Sequence, residues 1–170
     1  MELQEELKQQ AISLGLCKQW QDEWGNPNIA ELCNKYIRGL DFCIKHDYPS
    51  LDYLERNFKG KVERYGIYIN DNATILNQRN IVANGDCKLL VEASVVCDVT
   101  IRNTSEIHIV ATNNAFVYVS MHDNSRLFID KKDAGCRICV SHFGGEIVTT
   151  ELVDKVYEKN IISPFSSKCE

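Results

Sequence analysis

The sequence predicts an α+β chain: a helical segment over residues 1–60, a short β-solenoid built from ten-residue repeats over 61–160, and a flexible tail over 161–170. Two observations predict it. Apolar residues recur at three- and four-residue steps in the first third, and from Gly85 onward the sequence aligns with itself every ten residues. An antiparallel meander or sandwich is the alternative, because short strands with turn signals at 8 to 12 residues also fit that pattern.

In the first third, Leu3, Leu7, Ala11 and Leu14 form one helical stripe that Gly15 can terminate. Leu16, Trp20 and Trp24 continue at four-residue steps to Gly25-Asn26-Pro27. Asn28 with Glu31 three residues later has the logic of a capping box, each side chain satisfying the other's orphan backbone donor. Leu32, Cys33, Tyr36, Ile37, Leu40, Cys43 and Ile44 then predict one continuous helix with a broad apolar face. His46-Asp47-Tyr48-Pro49 breaks it, since the residue before proline avoids helical dihedrals. Ser50 caps a last helix through Leu51, Leu54 and Phe58, and Gly60 closes the region. The Trp and Tyr stripe reads first as core.

The repeat runs without gaps in units starting at Gly85, Val95, Ser105, Ala115, Ser125 and Gly135. The fifth column, Leu89, Val99, Ile109, Val119, Ile129 and Cys139, is apolar throughout, and alternation of period two puts the odd columns on a buried face. Asn103-Thr104, Asn113-Asn114, Asp123-Asn124 and Asp133-Ala134 occupy the last two columns, where left-handed corners are expected. The constancy of the columns favours a solenoid in which equivalent residues stack, with degenerate earlier strands at Gly66–Ile69 and Ile81–Asn84. Its open ends require a cover, either the helical segment or a second copy, so a homo-oligomer is expected.

Composition narrows the function classes. A formal charge of −5 and pI near 5.4 give no basic field for phosphate backbones or anionic lipid, so neither nucleic acid nor membrane is an expected partner. The chain's start has no cationic stretch followed by an apolar run, which predicts a cytoplasmic protein without a secretory signal. The eight cysteines scatter at apolar positions, as free thiols in a reducing compartment do.

No catalytic site is predicted. There is no glycine-rich phosphate loop, nucleophile elbow or zinc-protease motif, and no cofactor or metal is implied. Cys136 and Cys139 have the spacing of a metal pair, but on a strand they point to opposite faces, with Cys139 in the buried column. Glu92, Asp98, Glu106, Asp130 and Asp133 fall in different columns, which leaves a carbohydrate-active enzyme as a distant alternative. His122 and His142 share a column two units apart, with Arg102 two units before. Phe116, Tyr118 and Phe128 occupy outward columns, and large outward aromatics mark a covered or contacting surface.

The order of a helical segment containing Glu31-Leu32-Cys33 and Asp41–Ser50, followed by a strand repeat, resembles uncharacterised small proteins of bacterial prophages and mobile elements. That resemblance implies a phage-encoded or accessory factor and supplies no residue roles. The expected function is a non-enzymatic, self-associating interaction or scaffolding protein that binds a protein partner. The alternative is a binder of a small ligand such as a nucleotide, with Phe116, Tyr118, Phe128, His108, Arg102 and His122 as the candidate binding residues.

Overall fold

The computed structural model of the chain describes residues 1–159; the expected tail over 161–170 lies outside them. The chain divides into two compact units, with Met1–Phe58 in one and the segment from Lys59 onward in the other.

The helical unit holds α1 (Leu3–Ser13), α2 (Lys18–Asp22), α3 (Ile29–Arg38), α4 (Leu40–His46) and α5 (Leu51–Phe58). Both halves of the Asn28–Glu31 capping box form: Asn28 N donates to Glu31 Oε2 at 2.8 Å and Glu31 N to Asn28 Oδ1 at 3.0 Å. The continuous helix expected across residues 29–44 is instead split at Gly39. Glycine costs about 1 kcal/mol relative to alanine inside a helix, and here a Cβ would meet the Trp20 ring at 3.4 Å, so this residue also makes room for an indole. Tyr48 Oη donates to the Leu7 carbonyl at 2.6 Å and Trp24 Nε1 to the Gln4 carbonyl at 3.1 Å, fastening both ends of the segment to α1.

The second unit is a parallel β-solenoid. Its strands are β1 (Ile67–Ile69), β2 (Asn72–Leu76), β3 (Asn80–Asn84), β4 (Lys88–Ala93), β5 (Cys97–Ile101), β6 (Glu106–Ala111), β7 (Phe116–Met121), β8 (Arg126–Lys131), β9 (Arg137–His142), β10 (Glu146–Ile147) and β11 (Lys155–Glu158). Odd strands form a six-stranded sheet in the order β1-β3-β5-β7-β9-β11, and even strands a five-stranded sheet in the order β10-β8-β6-β4-β2. Every pairing is parallel. Residues ten apart therefore lie on different sheets, while those about twenty apart stack: Glu106 pairs with Arg126 and Cys97 with Val117. Each coil is two of the ten-residue units.

The inward side chains are aliphatic because both sheets turn one face to a shared interior. Ile107, Ile109, Val117, Val119, Leu127 and Ile138 are all within 3% of complete burial. Small residues sit where the chain turns, Ser105 and Ser125 being fully enclosed. Ser105 Oγ donates to the Gly85 carbonyl at 2.8 Å and accepts from Cys87 N at 3.1 Å, which ties one coil to the next.

At the corners, Asn103, Asn113, Asn114 and Asp123 take the left-handed conformation with φ of 53 to 58°. Their type follows from that, since a short polar side chain tolerates αL and offers an oxygen locally. One corner builds a ladder along the stack: Asn103 Oδ1 accepts from Gly85 N at 2.7 Å, and Asp123 Oδ2 from Asn103 N at 2.8 Å.

The gapless alignment fails at the last unit. Phe116 pairs with Arg137 and Val117 with Ile138, a step of 21 residues, so one extra residue enters at the corner after β8. With a side-chain period of two, one inserted residue exchanges the faces of everything beyond it. Cys136 is thus fully buried and Cys139 half-buried on the outer side, the reverse of the expected assignment. The expected stacking of His122 on His142 fails for the same reason: His142 pairs with Met121, and it is Phe143 whose ring stacks on His122, centroids 4.6 Å apart.

Candidate functional site

The solenoid turns two outer faces outward, and the predicted binding residues are divided between them. Phe116, Tyr118, Arg102 and His122 belong to the six-stranded sheet or its flanking corner, whereas His108 and Phe128 belong to the five-stranded sheet. The expectation of one converged set is therefore corrected. Strands alternate between sheets every ten residues, so residues from consecutive units cannot share a face.

On the six-stranded sheet, two of the four are unavailable as surface groups. Arg102 is 4% and His122 8% exposed, with Arg102 Nη1 donating to Asn84 Oδ1 at 3.2 Å. Burial pushes the His122 imidazole down to about 4; Arg102 lowers it further, and Asp123 partly offsets the two. A neutral ring stacked on Phe143 is a packing element at neutral pH. Tyr118 is half-buried and its hydroxyl hydrogen-bonds Ser141 Oγ, while Phe116 is exposed beside Arg137. The ligand set Tyr118, His108, Arg102 and His122 does not come together.

The five-stranded sheet is organised differently. Its outer face carries three rows set by the parallel register. The first is Lys88, Glu106, Arg126 and Glu146, one residue from each of β4, β6, β8 and β10. Their charges alternate in sign. Arg126 bridges its neighbours, Nη1 to Glu106 Oε2 at 3.1 Å and Nε to Glu146 Oε2 at 3.2 Å, and all three remain well exposed.

The second row is apolar and aromatic: Leu90, His108 and Phe128, followed by Val148, whose N–H donates to the Leu127 carbonyl in continuation of β10. His108 is exposed and the others half-buried. The His108 and Phe128 ring centroids lie 6.1 Å apart, and the Arg126 guanidinium sits 5.1 Å from the Phe128 centroid. The third row is Glu92, Val110 and Asp130, with Asp130 held by Lys132 at 2.7 Å. Glu92 and Asp130 thus share a row, contrary to the sequence expectation of separate columns; the coils of 18 and 20 residues on β4–β6 and β6–β8 make the difference.

This arrangement offers contact rather than chemistry. An apolar aromatic strip between charged rows can exclude water along its centre while the rims provide ion pairs and hydrogen bonds. Among the described residues no group of three or more His, Cys, Asp or Glu side chains could hold a metal ion. Six cysteines, Cys33, Cys43, Cys87, Cys97, Cys136 and Cys139, are free, while Cys17 is disulfide-bonded and corrects the expectation that all are thiols. No helix of the described residues is long and apolar enough to cross a membrane.

Sequence reasoning missed Lys88, Glu106, Arg126 and Glu146 as a set. The signal was present, since Glu106, Arg126 and Glu146 are spaced twenty apart and alternate in sign. It becomes legible only when two units are taken as one coil. Comparison with protein-family models, with curated proteins and with solved structures gives no match.

Proposed function

We propose that the chain is a non-enzymatic protein-interaction module that offers the outer face of its five-stranded sheet to a polypeptide partner. The observation that carries this reading is the Leu90–His108–Phe128 row, at least half-exposed and flanked by charged side chains on a regular surface. Arg126 over Phe128 adds the pairing of a guanidinium with an aromatic ring that protein interfaces favour. The solenoid suits this role because its strands are fixed in register, so little conformational entropy remains to be lost on binding.

Replacing Phe128 with a photo-crosslinking phenylalanine analogue tests the reading. In the cells that make the protein, irradiation is expected to join residue 128 to a polypeptide, with the same analogue at Asp98 on the other sheet as the control. A yield at 128 no higher than at 98 would overturn it.

A further inference from the structure

Resting on that reading of the face, we propose that its partner is a second copy of the same chain, bound face to face about a two-fold axis parallel to the strands and midway between β6 and β8.

The charge order carries the proposal. Lys88, Glu106, Arg126 and Glu146 read plus, minus, plus, minus across four adjacent strands. A two-fold axis parallel to the strands lets each row face itself while reversing the strand order. It sets Lys88 against Glu146 of the second copy and Glu106 against Arg126, and by symmetry each pair occurs twice. An even row of alternating charges is the pattern that becomes its own complement on reversal. A slip of one strand, about 4.8 Å, puts Lys88 against Arg126 and Glu106 against Glu106, so like charges meet and the register is specified.

The central row agrees with the same operation. Leu90 comes to face Val148, and the His108 ring comes to face Phe128, which covers the half-exposed apolar strip. Asp130 keeps Lys132 as its own counter-ion. Four strands of this length present a patch near the lower limit of specific interfaces, below about 1,200 Å² in total, which points to a reversible dimer in the micromolar range.

A different symmetry, with the axis along the stack, would instead place Lys88 against Glu92 and Arg126 against Asp130. Charge exchange separates the two. Sedimentation equilibrium of the full chain from low to several hundred micromolar is expected to show a monomer–dimer equilibrium. Arg126→Glu alone, and Glu106→Arg alone, each weaken it at least tenfold. The double variant carrying both changes returns it to within about threefold of wild type, because the row then reads plus, plus, minus, minus and is again its own complement on reversal. Circular dichroism confirms that each variant keeps its strands.

A wild-type chain that is monomeric throughout overturns the proposal, as does a double variant no better than Arg126→Glu. If the chain is monomeric while the analogue at 128 still joins a different polypeptide, the second copy is refuted and the protein-binding face stands. If neither association appears, both fail.

Discussion

Truncating Ile109 to alanine tests whether the interior is stacked in rows along the solenoid. Ile109 lies at the centre of the inward row Ile75, Val91, Ile109 and Ile129, and it has no exposed surface. Removing three carbon groups at about 0.8 kcal/mol each loses about 2.4 kcal/mol of transfer free energy. A residual cavity of about 80 Å³ at about 24 cal/mol per Å³ adds about 2 kcal/mol. The expected loss is therefore about 4 kcal/mol in urea unfolding.

The double variant with Ile129→Ala carries the sharper information. Ile109 and Ile129 are register partners on adjacent strands, so their cavities merge and the two losses should differ from additivity by about 0.5 to 2 kcal/mol. Ile75 and Ile129 are separated by β4 and β6, about 14 Å at the inter-strand spacing, and should add to within about 0.5 kcal/mol. Coupling between Ile75 and Ile129 that exceeds the coupling between Ile109 and Ile129 would refute the row.

Three further outcomes follow from particular residues. Asn103→Ala loses both the αL tolerance at φ 57° and the oxygen that accepts from Gly85 N; it should destabilise by about 1 to 3 kcal/mol, with Asn103→Gly recovering the conformational share. Gly66→Ala should be among the most damaging glycine substitutions, about 2 kcal/mol or more, because φ is +87° and the added Cβ would run into the Asn80 backbone carbonyl. The two histidines should give opposite pH slopes. His122 has a folded pKa of about 4 against an ordinary 6.5, so its neutral form contributes fully above pH 6.5 and the contribution, at most about 3 kcal/mol, is lost as pH falls from 6.5 toward 4; His122→Asn should flatten that limb in pH-dependent melts. His142 is shifted the other way: burial lowers it, but the Gly145 carbonyl and the Glu158 carboxylate outweigh burial and raise it. Its stabilisation is present below pH 6.5 and lost as pH rises through the raised value, so His142→Asn should matter in mild acid and not at pH 9.

The architecture was legible because each level of the sequence agreed with it. The asparagine and aspartate corners, the small residues beside them and the apolar fifth column through Ile129 all sit where the ten-residue period places them. What the period alone could not convey was how many units close a coil. Ten-residue and twenty-residue stacking give identical columns, yet only the second separates His108 and Phe128 from Tyr118 and Phe116. The single inserted residue before β9 was also hidden, since Arg137-Ile138-Cys139-Val140 alternates acceptably in either phase and only the pairing with Val117 decides.

The helical unit shows the complementary case. The capping box was readable from two residues because its partners are three apart and local. The break at Gly39 was not, since Leu40, Cys43 and Ile44 continue the helical spacing past it and the Trp20 ring that occupies the space beside Gly39 is distant in sequence. Burial of Arg102 and His122 was equally invisible, because alternation reports which way a side chain points and not what lies over it.

Nuclear Overhauser spectroscopy probes the two-strand coil most directly, since every surface assignment depends on it. Parallel pairing predicts that the Arg126 amide, which donates to the Ser105 carbonyl at 3.0 Å, and the Glu146 amide, which donates to the Ser125 carbonyl at 2.8 Å, show cross-peaks to residues one coil earlier, without strong contacts between facing α-protons. Strong α-proton to α-proton peaks between strands consecutive in sequence, the mark of antiparallel hairpins, would contradict it.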